Sequence, residues 1–129
     1  MNVAEFLESV RRQAGLPSTE AANVIRATLT TLAERISGGE ARDLAAQLPE
    51  EYRGYLHKEV EFAETLDRVE FLNEVRTRAG LDDQRAVEGA RAVLMTLREA
   101  MSADAFENLD SELSEDIRQL FHPVGRVWA

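Results

Sequence analysis

The chain has 129 residues, with 24 acidic against 15 basic side chains and a formal net charge of −9. This balance argues against general nucleic-acid binding, which needs basic patches that neutralise phosphates. Cysteine is absent, which excludes disulfides, thiolate catalysis and cysteine-based zinc sites, and the apolar runs are too short to span a membrane.

The first two predicted elements are helices with clear ends. Asn2 and Glu5 have the spacing of a capping box, in which each side chain accepts a hydrogen bond from the other's backbone N–H. Gly15 ends the first helix, because glycine adopts the left-handed conformation at low cost. The second helix begins near Ser18, and its apolar residues recur at the i, i+3, i+4, i+7 spacing of one helical face.

Two more helices are predicted before the middle of the chain. Ser37 and Glu40 have the spacing of another capping box, which starts the third helix. Pro49 opens a short fourth helix, because proline suits the first helical position. No segment alternates apolar and polar residues for long enough to predict a strand, so the sequence predicts an all-α fold.

The second half of the chain repeats the first at an offset of 65 residues. FLESVRRQAGL at 6–16 reappears as FLNEVRTRAGL at 71–81. Across positions 5–57 and 70–122, 21 of the 53 aligned pairs are identical, far more than the few that chance gives. The sequence therefore predicts two tandem copies of a three- to four-helix unit, at residues 2–57 and 67–122.

A linker at 58–66 joins the two copies, and a tail at 123–129 lies outside them. The linker contains the apolar residues Val60 and Phe62, so we expect it to lie against the body of the protein. Each copy alone is marginal for an independent core. We therefore expect both copies to pack about a pseudo-two-fold axis as a single domain covering residues 1–129.

Three motifs resemble the prokaryotic family known as domain of unknown function 2267 (DUF2267). They are the Phe-Leu-x-x-Val-x-x-x-Ala-Gly-Leu helix, the Arg-Ala-x-Leu-x-Thr-Leu helix and the segment SGGEARDLAAQLPEE. The resemblance covers residues 3–122 and both copies. It implies an all-helical, internally duplicated protein, and it brings no assigned activity, cofactor or functional residue.

Two pairs of residues at equivalent positions of the copies are candidate ligands. His57 and His122 could form a pH switch or bind a metal, although a role at helix ends, where positive charge meets the last carbonyls, is the favoured interpretation. Arg26 and Arg91 could meet as an anion site. Inter-helix ion pairs are the commoner use of such arginines and are favoured here.

The tail holds the only tryptophan, Trp128. Its side chain either packs back on the body, which is favoured, or contacts a partner. The carboxylate groups along the chain lack the spacing of a calcium loop, and no phosphate loop, nucleophile elbow or dinucleotide motif occurs. We therefore expect no metal and no cofactor.

The absence of a catalytic arrangement favours a non-enzymatic helical module that acts through protein–protein contacts. Its protein partner is unknown, self-association into a homo-oligomer is one expected form, and neither nucleic acid nor membrane is an expected partner. The alternative is a small-ligand binder, for an anion or a metal, or a minor enzyme, with Arg26, Arg91, His57 and His122 between the copies. The acidic first residues differ from a secretory signal, so we expect a cytoplasmic protein.

Overall fold

A computed structural model describes residues 1–64 and 67–121, and every regular element within them is helical. The predicted all-α class is confirmed. Two 3-10 segments accompany the α-helices, at Glu50–Leu56 and Gln119–Phe121. The α-helices are α1 (Val3–Ala14), α2 (Ser18–Ala33), α3 (Gly38–Ala46), α4 (Arg68–Ala79), α5 (Asp83–Ala100), α6 (Ala103–Ser111) and α7 (Glu115–Arg118).

The ends of α1 and α4 follow the sequence pattern. Asn2 caps α1 and Asp67 caps α4, each in a complete capping box with the glutamate three residues later. Gly15 and Gly80 end these helices with φ of 67° and 69°, in the left-handed region that glycine favours.

The capping box predicted at Ser37 is wrong in its second half. The Ser37 hydroxyl accepts from the Glu40 N–H at 3.1 Å, as expected. The Ser37 N–H, however, donates to Oε1 of Glu112 at 2.7 Å, and not to the Glu40 side chain. A carboxylate from the end of α6 therefore replaces the local partner. The fourth helix follows Pro49 as predicted, but it is a 3-10 helix in which Tyr52 N–H donates to Pro49 O.

Each short first helix packs mainly on the long helix from the other half of the chain. The helix α1 lies against α5, and α4 lies against α2. Buried side chains from both halves form one continuous apolar cluster, whose largest members include Phe6, Ile25, Leu29, Phe71, Leu97 and Phe121. The two halves therefore share one core.

Several contacts between α2 and α5 join positions that are 65 residues apart. Glu20 pairs with Arg85 at 3.1 Å. Val24 packs so closely on Gly89 that a Cβ added at Gly89 would lie 2.7 Å from Val24 Cγ2. A pseudo-two-fold axis between these helices requires contacts of this kind. The axis itself and the boundaries of the two copies stay predictions.

The linker contacts the end of α2, but through other groups than the sequence suggested. The Lys58 ammonium donates to the carbonyls of Ala33, Ile36 and Phe62 at 2.5–3.0 Å. The apolar side chains that were expected to hold the linker are exposed instead, by 48% for Val60 and 68% for Phe62. The linker is therefore fixed by the only lysine of the chain, which caps the carbonyl end of α2.

Candidate functional site

The most unusual polar residue of the described structure is Arg35, which follows α2. Its side chain continues the apolar face of that helix beside Leu32 and Ile36, and the residue is only 4% exposed. Within residues 1–64 and 67–121, none of its three guanidinium nitrogens has a hydrogen-bond partner. Buried polar groups are normally paired, so this guanidinium is exceptional.

Charges and an aromatic ring surround Arg35 without hydrogen-bonding to it. The guanidinium carbon lies 5.9 Å from the centre of the Phe71 ring, a cation–π distance. The Glu34 carboxylate lies 3.7 Å from Nη1, too far for a hydrogen bond. Burial lowers the pKa of Arg35, while the charges of Glu34, Glu64 and Glu74 act in the opposite direction. The guanidinium remains protonated, because arginine keeps its charge in proteins.

A cavity of about 170 Å³ has Arg35 among its lining residues. We call it the Arg35 cavity. Its buried side consists of Arg35, Leu113 and Ile117, and its exposed rim includes Glu64 and Ser114. The complete lining comes from the end of α2, the linker and the segment from the end of α6 into α7, and comprises Arg35, Ala63, Glu64, Glu112, Leu113, Ser114 and Ile117.

Backbone hydrogen bonds hold the linker side of the cavity in place. The Glu64 N–H donates to the carbonyl of Glu34 at 2.7 Å, and the Gly38 N–H donates to the carbonyl of Glu61 at 2.9 Å. Together with Lys58, these bonds tie the linker to the end of α2 on both sides of Arg35. The rim of the cavity is therefore built by the fold and does not depend on a loosely attached loop.

The opposite wall contains a carboxylate that already has partners. Both oxygens of Glu112 accept from Ser37, one from its N–H and one from its hydroxyl. The Ser114 hydroxyl accepts from the Ile117 N–H at 3.4 Å as the cap of α7, and its own proton can still be donated. The Glu64 carboxylate on the rim also lines the cavity, so the lining presents a hydroxyl donor and a carboxylate acceptor.

The sequence-predicted arginines have other surroundings. Arg26 donates from Nη2 to the carbonyl of Arg78, at the carboxyl end of α4, at 3.3 Å. The pKa of Arg91 is lowered by burial and by the charge of Arg68, which starts α4. These contacts associate the two side chains with different ends of α4. Their joint anion site stays a prediction.

Of the other predicted site residues, the structure describes only His57. His57 is exposed at the end of its 3-10 segment, where its N–H donates to the carbonyl of Gly54. His122 and Trp128 lie outside the described residues. No group of three His, Asp or Glu side chains in residues 1–64 and 67–121 is arranged to hold a metal ion.

Sequence reasoning missed Arg35 because it ranked arginines by their retention in both copies. Position 100, the equivalent of position 35, is Ala100. Two features of the sequence could have identified Arg35. The arginine is present in only one of the two equivalent positions, and it lies on the same predicted helix face as the apolar residues Leu32 and Ile36. A charge that interrupts an apolar face in only one of two copies indicates a buried charge with a role particular to that copy.

A protein-family model matches nearly the whole chain. The family model described as "Uncharacterized conserved protein (DUF2267)" matches residues 3–120. No curated protein matches the chain. Separately, none of the helices in the described part of the chain is both long enough and apolar enough to cross a membrane.

Proposed function

The chain belongs to the DUF2267 family of uncharacterized conserved proteins, and from this premise we propose that it binds a small anionic ligand in the Arg35 cavity. One observation supports the proposal above all: Arg35 is 4% exposed and lines a cavity, and its guanidinium nitrogens have no hydrogen-bond partner in the described chain. A buried charge without hydrogen bonds is costly. An anion that accepts its hydrogen bonds therefore gains free energy by binding the folded state.

The location of the cavity agrees with one of the two functions expected from the sequence. A small-ligand site between the copies was the alternative expectation, and the Arg35 cavity takes residues from both halves and from the linker. The proposal keeps that location and assigns the anion to Arg35 in place of Arg26, Arg91 and the histidines. It is a proposal of binding, without a catalytic step.

Thermal unfolding in the presence of an anion panel tests this function. A ligand that binds only the native state raises the melting temperature with its concentration, and the panel contains phosphate, sulfate, acetate and benzoate. We expect at least one of these anions to raise it in the wild type and none to do so in Arg35→Met. Methionine approximates the length of the arginine stem without its charge.

Arg98→Met is the matched control for that experiment. Arg98 also lies over an aromatic ring, Phe106, at 5.1 Å, and donates to the carbonyl of Phe121, but it does not line the Arg35 cavity. The melting temperature of Arg98→Met should rise with the anion concentration as much as that of the wild type. Equal responses of Arg35→Met and the wild type, or no response to any anion, would refute binding at Arg35.

Protein–protein contact, the function favoured by the sequence, is our second candidate. Three exposed apolar side chains support it: Val60 and Phe62 on the linker, and Val69, 65% exposed, in the first turn of α4. Exposed apolar groups of this size are typical of association sites when they form a patch. Light scattering tests self-association, and the variant Phe62→Ser/Val69→Ser should reduce the apparent mass if these residues mediate it.

We also propose that the protein is cytoplasmic and acts without turnover. A sequence without cysteine fits a reducing compartment. Fractionation of the native host with an antibody against the protein tests the location. NMR spectra of the anion, recorded over hours with the protein, test the absence of turnover. If the anion is hydrolysed or modified by the wild type and not by Arg35→Met, the non-enzymatic role is wrong.

A further inference from the structure

We propose that a second pocket, between α3 and α6, binds the ammonium group of a small primary alkylamine. We call it the Glu40 pocket. It has a volume of about 300 Å³, and Glu40 and Asp43 of α3 and Asn108 of α6 are among its lining residues. It shares no lining residue with the Arg35 cavity, so this inference stands or falls independently of the proposed anion binding.

The carboxylate of Glu40 lacks the donor that its burial calls for. The residue is 8% exposed, and within residues 1–64 and 67–121 its hydrogen bond to Ser37 uses the backbone N–H and leaves the side chain without a donor. The donor that a capping box would supply, the Ser37 N–H, binds Glu112 instead. Buried polar groups are normally paired. A cation with N–H groups supplies both the missing donor and a compensating charge.

The Glu40 oxygens remain accessible from the pocket. In the described part of the chain, the side-chain polar atoms that are fully enclosed and have no partner belong to Thr28 and Arg35. The Glu40 carboxylate also has no partner but is not among these enclosed atoms, and the residue lines the pocket. A ligand in the pocket can therefore reach it.

The polar lining offers acceptors on two helices. Asp43 follows Glu40 by three residues, on the same face of α3, and adds a second carboxylate. Asn108 adds an amide oxygen from α6. The three N–H groups of a primary ammonium suit acceptors that approach from different directions. The described residues of the lining include no arginine, lysine or histidine, so a bound ammonium meets no competing cation.

An organic cation fits this pocket better than a metal ion does. No three His, Asp or Glu side chains of the described chain are arranged to hold a metal. Ala46, Met101 and Ala105 line the pocket with apolar atoms, which suit an alkyl stem. A cavity of about 150 Å³ can hold benzene, so this pocket has room for an ammonium group with a four-carbon chain. Position 105 is the equivalent of position 40, and its alanine leaves that room opposite the glutamate.

Isothermal titration calorimetry with butylammonium at pH 8 tests the site. We expect saturable binding, and we expect tetramethylammonium, which has no N–H group, and neutral butanol to bind at least about tenfold more weakly. A lysine-containing tetrapeptide distinguishes a protein side chain from a free amine. It should bind more weakly than butylammonium, because its backbone brings polar groups to an apolar lining. Tighter binding of the peptide would overturn the assignment to a free amine.

A metal ion is the competing occupant, and the same titration decides between the two. Ca²⁺ and Mg²⁺ should bind more weakly than butylammonium at pH 8, because a metal needs several charged oxygen ligands at once. If Ca²⁺ binds more tightly than butylammonium and Glu40→Gln abolishes this binding, the pocket is a metal site and the proposal is wrong.

Three variants locate the binding. Glu40→Gln should weaken butylammonium binding by at least about tenfold, because a charged acceptor is lost. Asp110→Asn is the matched control: it removes a negative charge from α6 but does not line the Glu40 pocket, so binding should stay within about twofold. An equal loss in both variants would indicate general attraction to a chain of net charge −9 and refute the site. Ala105→Leu fills the pocket without changing its charge and should abolish binding, and retained binding would place the ammonium elsewhere.

The pH dependence provides a readout that a purely structural role of Glu40 would not give. Burial, and then the charges of Glu112 and Asp43, raise the pKa of Glu40 to about 6. At pH 5 this carboxyl is mostly protonated, while butylammonium keeps its charge. Binding by the wild type should therefore be about tenfold weaker at pH 5 than at pH 8, and the dependence should be smaller in Glu40→Gln. Equal pH dependence in both proteins would show that Glu40 does not bind the ammonium.

Discussion

The carboxylate of Glu112 binds Ser37 through both of its oxygens, at 2.7 Å from the backbone N–H and 2.9 Å from the hydroxyl. This contact joins the end of α6 to the start of α3. The N–H of Ser102, 65 residues after Ser37, donates in the same manner to Oε1 of Gln47 at 3.3 Å. Each helix start is thus capped by a side chain from the other half, but only the Ser37 end receives a negative charge.

The first prediction concerns the charge of Glu40, which is 8% exposed. Burial, and then the charges of Glu112 and Asp43, raise the pKa of Glu40 from 4.5 to about 6. The folded state therefore holds this proton more tightly than the unfolded state, and stability falls as pH rises from 4.5 through 6. The full cost above this range is about 2 kcal/mol.

Glu40→Gln removes that cost. In urea unfolding, the variant should match the wild type at pH 4 and exceed its free energy of unfolding by about 2 kcal/mol at pH 8. Glu50→Gln, an exposed change in the 3-10 segment, serves as the control and should show no such pH-dependent gain. If the difference in the free energy of unfolding between Glu40→Gln and the wild type does not change with pH, the pKa of Glu40 is not raised.

The second prediction is that Arg35 costs stability in the absence of ligand. Methionine at position 35 removes the desolvation cost of a buried charge that has no hydrogen bonds, the neighbouring Glu34 carboxylate is partly exposed and paired with Arg78, and methionine packs well against an aromatic ring such as Phe71. Arg35→Met should raise the free energy of unfolding by about 1–3 kcal/mol. Arg35→Ala should instead lower it, because it leaves a void beside the ring. Chemical denaturation without added anions measures both, and a destabilised Arg35→Met would show that the guanidinium is already satisfied.

The third prediction concerns Lys58. Its three carbonyl contacts cap α2 and fix the linker. Lys58→Met keeps the apolar stem and removes the donors, so it should lower the free energy of unfolding by about 2 kcal/mol. Faster amide hydrogen exchange should accompany this loss at Gly38 and Glu64, whose N–H groups bind across the linker contact. Glu59→Ala, on an exposed neighbour, should leave both measurements unchanged.

The fourth prediction concerns the close contact of α2 and α5 at Val24 and Gly89. In Gly89→Ala the added methyl group meets Val24 at 2.7 Å, which should cost about 1–3 kcal/mol of stability. The double variant Val24→Ala/Gly89→Ala relieves the clash, so it should be more stable than the sum of the single changes predicts. Gly54→Ala adds a methyl group in open space and is the control for the backbone effect. If the changes in the free energy of unfolding of the two single variants simply add in the double variant, the contact between Val24 and position 89 is not the source of the cost.

The sequence predicts the helices well because their ends are locally encoded. Asn2 and Gly15 act through neighbours within a few residues, and the caps expected there are present. The Ser37 cap and the linker contacts could not be predicted, since Glu112 and Lys58 reach their partners across the fold, 75 and 22–25 residues away. The candidate site was missed for the same reason. Only the packing of the linker and α7 around Arg35 creates the cavity.

The contacts between α2 and α5 also bear on how such a chain can arise. Two identical subunits facing each other across a two-fold axis would place Glu20 against a second glutamate and Val24 against a second valine. In this chain, α2 and α5 hold Glu20 against Arg85 and Val24 against Gly89 instead. Gene fusion makes these unequal pairs available, because each half can then mutate alone. The same freedom permits an arginine at position 35 where the equivalent position 100 is alanine.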